Sequence, residues 1–444
     1  MKILPIQHKF YRALNVLALA LISQSVGAEE SFDAWLKQLQ QDAVASGISI
    51  EVSTKAVQKI QFLPQVVAQD HAQPEFITPF LDYYHRRVTQ QRVSVGQGKL
   101  IQYQDYLAEL TRHYGVPGHF LMAFWGMETN YGSHQGNLDV LSSLATLAYE
   151  GRRAVFFKQQ LMQALKVADQ QPALLDAWQG SWAGAFGHMQ FMPSTFNAYA
   201  TDGDADGVVD LVRSEKDAFS SAANYLAQVG WQKNQPAIIE VALPKSFAMQ
   251  DAQLNIKKTV AEWSALGVTA MQGKKILLEK TRVFQKKHRP QTETFYEETY
   301  VPDVTIALKQ SVPDQQALAS IILPQGWQGP AFMVFDNFRV IMDWNRSINY
   351  ALSVAQLAER LVGQQPVLAG EAAEKGALSF TQMQHLQSML NQLGFDVGEP
   401  DGLPGLKTQA AVRQYQLSQN LPADGYASPG LYDLLQKKTA VATQ

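Results

Sequence analysis

The chain has no cysteine among its 444 residues, which excludes a disulfide framework and a lipid anchored through a cysteine near the N-terminus. Charge is scarce too. Asp, Glu, Lys and Arg make up 17% of the residues, and the formal net charge is −3, so the basic footprint of a nucleic-acid binder is missing. Long apolar runs are absent. The longest, residues 13–22, is too short to span a bilayer, and no later stretch reaches the roughly 18 residues that a spanning helix needs. Stability must therefore come from packing, and 46% apolar residues can fill the cores of two or three domains.

The N-terminus has the pattern of a secretory signal. Lys2, Lys9 and Arg12 precede the apolar run, which only Asn15 interrupts, and Val26-Gly27-Ala28 stands before Glu29. Removing residues 1–28 takes away three positive charges and lowers the net charge from −3 to −6. The expectation is a soluble exported protein, periplasmic by default, with no transmembrane segment.

The chemistry concentrates at residues 117–132, PGHFLMAFWGMETNYG, where Pro117 suits a helix start and Gly132 a helix stop. Leu121, Phe124, Trp125 and Glu128 stand at helical spacing, so the single formal charge lies on a stripe of core residues. A carboxyl group on such a helix is desolvated unless a cleft opens there; desolvation keeps it protonated near neutral pH, as a general acid requires. The structural alternative is a buried Glu satisfied by an Arg or by backbone donors. Residues 32–111 read as helical, with Tyr83 and Tyr84 as packing residues or sugar platforms. Two amphipathic helices follow over 138–149 and 153–168. Arg152 and Arg153 at the second helix start oppose the helix dipole, and an anionic substrate or an ordinary salt bridge would account for them.

Residues 180–196, GSWAGAFGHMQFMPSTF, intersperse glycine with large apolar side chains, a composition that lets backbone approach a ligand closely. Together W-G-M-E-T-N-Y-G at 125–132 and G-S-W-A-G-A-F-G-H-M-Q-F-M-P at 180–193 resemble the lytic murein transglycosylase B family, which cuts the glycan strands of bacterial peptidoglycan. Residues 325–350, QGWQGPAFMVFDNFRVIMDWNRSINY, are similar to that family's closing block, so the resemblance spans most of 32–363. It implies an α+β, mainly α fold: a lysozyme-like helical catalytic domain with a small late β-sheet.

The resemblance makes Glu128 the catalytic acid and base, with Ser181 and Gln190 beside the scissile bond. It also implies sugar or cleft contacts for Tyr225, Asn345 and Tyr350, and a substrate role for Arg152 and Arg153. Trp344 departs from the family's usual Tyr: it keeps a ring for stacking and loses a hydroxyl. A charged, unpatterned region at 279–314 looks inserted. No second carboxylate in a comparable setting stands between 111 and 196. A transglycosylase needs none, because the muramoyl C6 hydroxyl attacks its own anomeric carbon.

Residues 202–210, DGDADGVVD, follow the first half of an EF-hand loop, and Arg213 occupies position 12 in place of the bidentate Glu. In the family the loop closes on a later Asp, here Asp217. Asp202, Asp204, Asp206, Val208 and Asp217 are thus the candidate ligands of a structural Ca2+, with an ion-free Asp-Gly turn as the alternative. The chemistry itself requires no cofactor.

Later, residues 237–243, 320–323, 331–335 and 339–343 read as short strands with turns at Pro330 and Asn337, and a helix returns at 351–362. Residues 364–376 read as a flexible linker. Residues 377–437 then read as three helices with two Asp-Gly turns, at Asp401-Gly402 and Asp424-Gly425. The stretch 393–416 resembles the small peptidoglycan-binding domain, whose implied task is to hold the wall near the cleft. The domain expectation is 1–28 signal, 29–363 catalytic, 364–376 linker and 377–437 wall-binding. Peptidoglycan glycan strands are the expected partner, with other cell-wall enzymes as candidate protein partners. A hydrolytic muramidase using Glu128 and water, or a non-catalytic wall-binding protein, are the competing readings.

Overall fold

A computed structural model describes residues 31–71, 78–150, 152–271, 282–288, 294–300 and 314–442. The signal segment 1–28 and much of 279–314 lie outside the described residues. Helix dominates the first half, as expected, with helices over Phe32–Ala45, Ile50–Lys59, Pro64–His71, Phe80–Arg87, Gln90–Gln102 and Gln104–Tyr114. Serine or threonine side chains cap several of these starts, among them Ser31, Ser49 and Thr89, each accepting from the amide three residues on.

These helices surround the central helix, Gly118–Thr129, in which every residue but Glu128 is buried. Pro117 sits just before it in extended backbone, and the helix stops earlier than the expected Gly132. Asn130, Tyr131 and Gly132 follow at φ 50°, 60° and 84°, so the chain reverses through three left-handed residues. Only a tightly specified environment holds two non-glycine residues there. The helix Ile348–Leu361 packs along the central helix, closing the core from the other end of the sequence.

The late sheet has five short antiparallel strands in the spatial order Lys258–Thr259, Leu318–Ile322, Ala331–Val334, Ile238–Ala242, Thr269–Ala270. Alternation along the strands serves two cores. Ile238, Ile322, Phe332 and Val334 face the helical core, whereas Val241, Ile321 and Met333 cover a second cluster around Trp263 and Phe247. Residues 339–343 are not a strand. They belong to the helix Asp336–Trp344, where Phe338 and Ile341 are buried at i, i+3 spacing. Asn337, expected at a turn, lies wholly buried in that helix, where it accepts from the Gln232 amide (2.6 Å) and donates to the carbonyls of Gln232 and Gln235. Within the apparent insertion, Arg282–His288 and Thr294–Tyr300 pair as an antiparallel ribbon, against the expectation of no pattern.

The stretch after Gly363 is docked, which corrects the reading as a flexible linker. Glu240, wholly buried on its strand, accepts the amides of Leu368 (2.9 Å) and Ala369 (2.8 Å), and Gln325 donates to the Glu374 carbonyl (2.9 Å). The C-terminal module consists of helices Phe380–Gln392, Leu406–Ser418 and Pro429–Ala442 around its own core of Leu386, Leu390, Val412, Tyr415 and Leu435. Each Asp-Gly turn is clamped by a glutamine from the preceding helix. Gln387 donates to Asp401 and accepts from Gly402, both at 2.8 Å; Gln416 does the same for Asp424 and Gly425 at 2.7 and 2.8 Å. The second turn also touches the loop before strand Ala331–Val334, since the Trp327 amide donates to Asp424 at 2.8 Å.

Candidate active site

Glu128 is half-buried at the C-terminal end of the central helix, and its Oε1 is held by two donors from residues 344–350. Trp344 donates its indole N–H at 2.9 Å, and the Tyr350 hydroxyl makes a short hydrogen bond to the same oxygen. Tyr350 is placed by a helix cap: the Ser347 hydroxyl accepts the Tyr350 amide at 3.3 Å. Burial, reinforced by the Glu128 charge, pushes the Tyr350 phenol well above its ordinary pKa, so it donates and does not ionise.

Trp344 is not the open stacking platform expected of it. Its ring is packed among Phe124 (4.5 Å between centroids), Tyr225 (5.2 Å) and Phe191 (5.4 Å) while its nitrogen faces the carboxylate. The change from Tyr therefore leaves a hydrogen-bond donor in place. Tyr225 stands edge-on to Trp344 and to Tyr199, and burial raises its phenol pKa to about 12. Tyr83 is buried to 7% exposure, which leaves no ring face for a sugar. Asn345 is half-buried, its side chain accepting the Ser347 amide at 3.0 Å.

The glycine-rich segment is fastened directly to the central helix. The Trp125 indole donates to His188 Nδ1 at 3.0 Å, and the Thr129 hydroxyl donates to the His188 carbonyl at 2.9 Å. A Cβ on Gly132 would lie 2.7 Å from the His188 ring, so only glycine lets the two segments meet. Burial lowers the His188 pKa and keeps the ring neutral, as an acceptor from Trp125 requires. Ser181 closes a tight loop by accepting the Ala185 amide at 3.1 Å. Gln190 sits at φ 48° and donates to the carbonyls of Gln135 (2.9 Å) and Gly187 (3.0 Å).

Arg152 and Arg153 meet a protein carboxylate. Arg152 Nε lies 2.7 Å from Asp70 Oδ2, and Arg153 reaches Oδ1 at 2.5 Å, while the Asp70 side chain is only 3% exposed. Burial alone would raise the Asp70 pKa, but the two guanidiniums outweigh it and hold the carboxyl below its ordinary range. Sequence reasoning missed a second basic pair. A cavity of about 390 Å³ beside Glu128 is lined by Arg87, Arg92, Thr89, Gln91, Asn130 and His134, among others. The run His85-Arg86-Arg87 followed by Arg92, in a chain so poor in charge, is the signal that could have drawn attention to it.

In the acidic loop, Asp202, Asp204 and Asp217 bring carboxylate oxygens within 4.8 Å of one another. Asp217 is wholly buried and accepts the amides of Gly203 and Asp210 at 2.7 Å each. Burial, with the Asp204 charge adding to it, raises the Asp217 pKa, the strain that a cation would relieve. One expected carboxylate stays outside the cluster: Asp206 turns back to accept the Val208 amide at 2.8 Å. The three clustered carboxylates are hard oxygen donors and fit calcium.

A helical lysozyme-like fold carrying one oriented carboxylate defines the class, and the chain belongs to the transglycosylase SLT domain family, whose sequence pattern matches residues 31–301 and 279–359. A peptidoglycan binding domain matches residues 381–435. Among solved structures, SltB3 from Pseudomonas aeruginosa in complex with NAG-anhNAM-pentapeptide is 38% identical, with a TM-score of 0.80 over 92% of this chain and 100% of that chain. A lytic transglycosylase from Escherichia coli in complex with calcium is 25% identical, with a TM-score of 0.57 over 73% of this chain and 92% of that one. The membrane-bound lytic murein transglycosylase B of Escherichia coli K12 is 34% identical over 200 residues, 44% of this chain; the chain spans about half (53%) of that relative's length.

Proposed function

We propose that this chain cleaves the MurNAc–GlcNAc β-1,4 bond of peptidoglycan as a lytic transglycosylase, leaving 1,6-anhydromuramoyl ends. The observation that carries the reading is that Glu128 is the one carboxylate among the described residues lining the cavity. A hydrolase of the usual kind needs two such groups. Trp344 and Tyr350 both donate to Oε1, making it the poorer site for a proton, so the acidic proton sits on Oε2. Glu128 gives that proton to the bridging oxygen as the bond to the muramoyl anomeric carbon breaks, and the GlcNAc hydroxyl leaves. The muramoyl C6 hydroxyl then bonds to that carbon and returns its proton to Glu128, so no water is consumed.

Ser181 and Gln190 hold or polarise the N-acetyl group in this scheme, and Tyr225 and Asn345 shape the cleft behind it. Asp202, Asp204 and Asp217 bind a structural calcium that pins the loop before the helix Glu215–Gln228. Export through residues 1–28 to the periplasm places the protein with its substrate, and no helix among the described residues is long and apolar enough to cross a membrane. Residues 377–437 hold the wall. Mass spectrometry of soluble products from purified sacculi tests the reaction. Muropeptides one water lighter than hydrolysis products are expected; reducing ends of full mass would identify a muramidase.

A further inference from the structure

We propose that Arg87 and Arg92 form a carboxylate-binding subsite beside Glu128, which receives the acidic arm of the muramoyl residue being cut. The inference rests on the reading of Glu128 above and adds the group by which the substrate is recognised. Both arginines line the same cavity as Glu128. Their hydrogen bonds go to neutral oxygens. Arg87 donates to the Met127 carbonyl at 2.7 Å, and Arg92 donates to the Asn130 side chain at 3.2 Å and to the Arg87 carbonyl. Among the described residues, no carboxylate forms an ion pair with either guanidinium.

The contrast with Arg152 and Arg153 is direct, since those two already share Asp70. Arg87 Nε is buried without a partner, and burial, followed by the neighbouring Arg87 charge, lowers the pKa of Arg92. Two half-buried like charges side by side form a field that an incoming anion relieves. Thr89, Gln91, Asn130 and His134 on the same wall add neutral hydrogen-bonding groups. The glycan backbone is uncharged at its hydroxyls and acetamides, so a doubly cationic wall has no use for it. The muramoyl arm carries carboxylates, either along a stem peptide or, once that peptide is removed, on the bare lactyl group.

Binding is measured by calorimetry in the Glu128→Gln protein, which does not consume the ligand. Three GlcNAc–MurNAc disaccharides are compared: one with a stem peptide bearing free carboxylates, one with those carboxylates amidated, and one with only the lactyl carboxylate. Adding Arg92→Gln should weaken the first by about tenfold and the amidated ligand by no more than about twofold. A tenfold loss on the bare lactyl ligand, with the amidated one again spared, would also support the subsite and would assign its anion to the lactyl group. Arg92→Lys keeps the charge and should retain most of the binding. Equal losses on all three ligands, or a Lys variant as weak as Gln with an unchanged melting temperature, would overturn the proposal. Wild-type turnover is scored separately: absence of anhydro products with the binding discrimination intact would remove the reading of Glu128 and leave the subsite standing.

Discussion

Glu240 and Glu128 both sit on elements of the hydrophobic core, and they have opposite fates. Glu240 is wholly buried and fixed by the backbone amides of Leu368 and Ala369, so its carboxylate is a knot that fastens residues 364–376 to the sheet. Glu128 is half-buried, held by side-chain donors on one oxygen, and opens onto a cavity. Burial alone therefore does not make a carboxylate an acid catalyst. What separates the two is that Glu128 opens onto a cavity and is held by side-chain donors on one oxygen, the arrangement that the proposed acid role would require.

The sharpest way to break this comparison is Glu128→Gln. The amide is nearly isosteric, so the melting temperature should hold within a degree or two, while turnover falls by orders of magnitude. Muropeptide release at the wild-type rate would remove Glu128 from the chemistry. The reciprocal experiment is Glu240→Ala, which removes the side-chain acceptor of the Leu368 and Ala369 amides, a loss of about 0.5–1.5 kcal/mol per hydrogen bond. A lower denaturant midpoint is expected, with kcat on soluble glycan fragments nearly retained at low temperature. Truncation after Gly363 removes the same two amides, so the shortened chain should also melt lower; a melting curve identical to full length would show that the docked stretch contributes nothing.

Trp344→Phe probes the orienting donors. Phe keeps the ring between Phe124, Phe191 and Tyr225 but loses the bond to Glu128, a charge-assisted contact of about 1.5–3 kcal/mol. If that loss falls in the transition state, kcat drops roughly ten- to hundredfold with KM little changed. A rise in KM alone would return Trp344 to a stacking role. The smallest effect concerns the acidic loop. Calcium should raise the melting temperature in proportion to the logarithm of its concentration, and Asp204→Ala should abolish that increment. The pH dependence has a defined sign: with its folded-state pKa raised, Asp217 in the metal-free protein costs stability as pH rises through that value, and calcium should flatten the loss.

The sequence made Glu128 legible because one charge in an otherwise apolar helix is conspicuous, and the strands 238–242, 318–322 and 331–334 because their apolar runs are short and bounded by turns. The stretch 339–343 was ambiguous on the same grounds. Its few apolar residues suit a strand or a helix face, and the deciding interaction is the buried Asn337 side chain on backbone more than a hundred residues away. The docking of 364–376 left no trace in composition, since it is made by main-chain amides that every residue carries. The role of Trp344 was hidden for a different reason. Stacking and donation use the same indole, and only the direction of the side chain separates them.

Glu128 and its two donors are separated by 216 and 222 residues of chain. Synthesis delivers Glu128 early and its setting late, so a chain interrupted anywhere before Trp344 holds the carboxylate without the hydrogen bonds that orient it. The carboxylate is oriented only once residues 344–350 have been made, so the order of residues along the polymer sets the order in which the site is assembled.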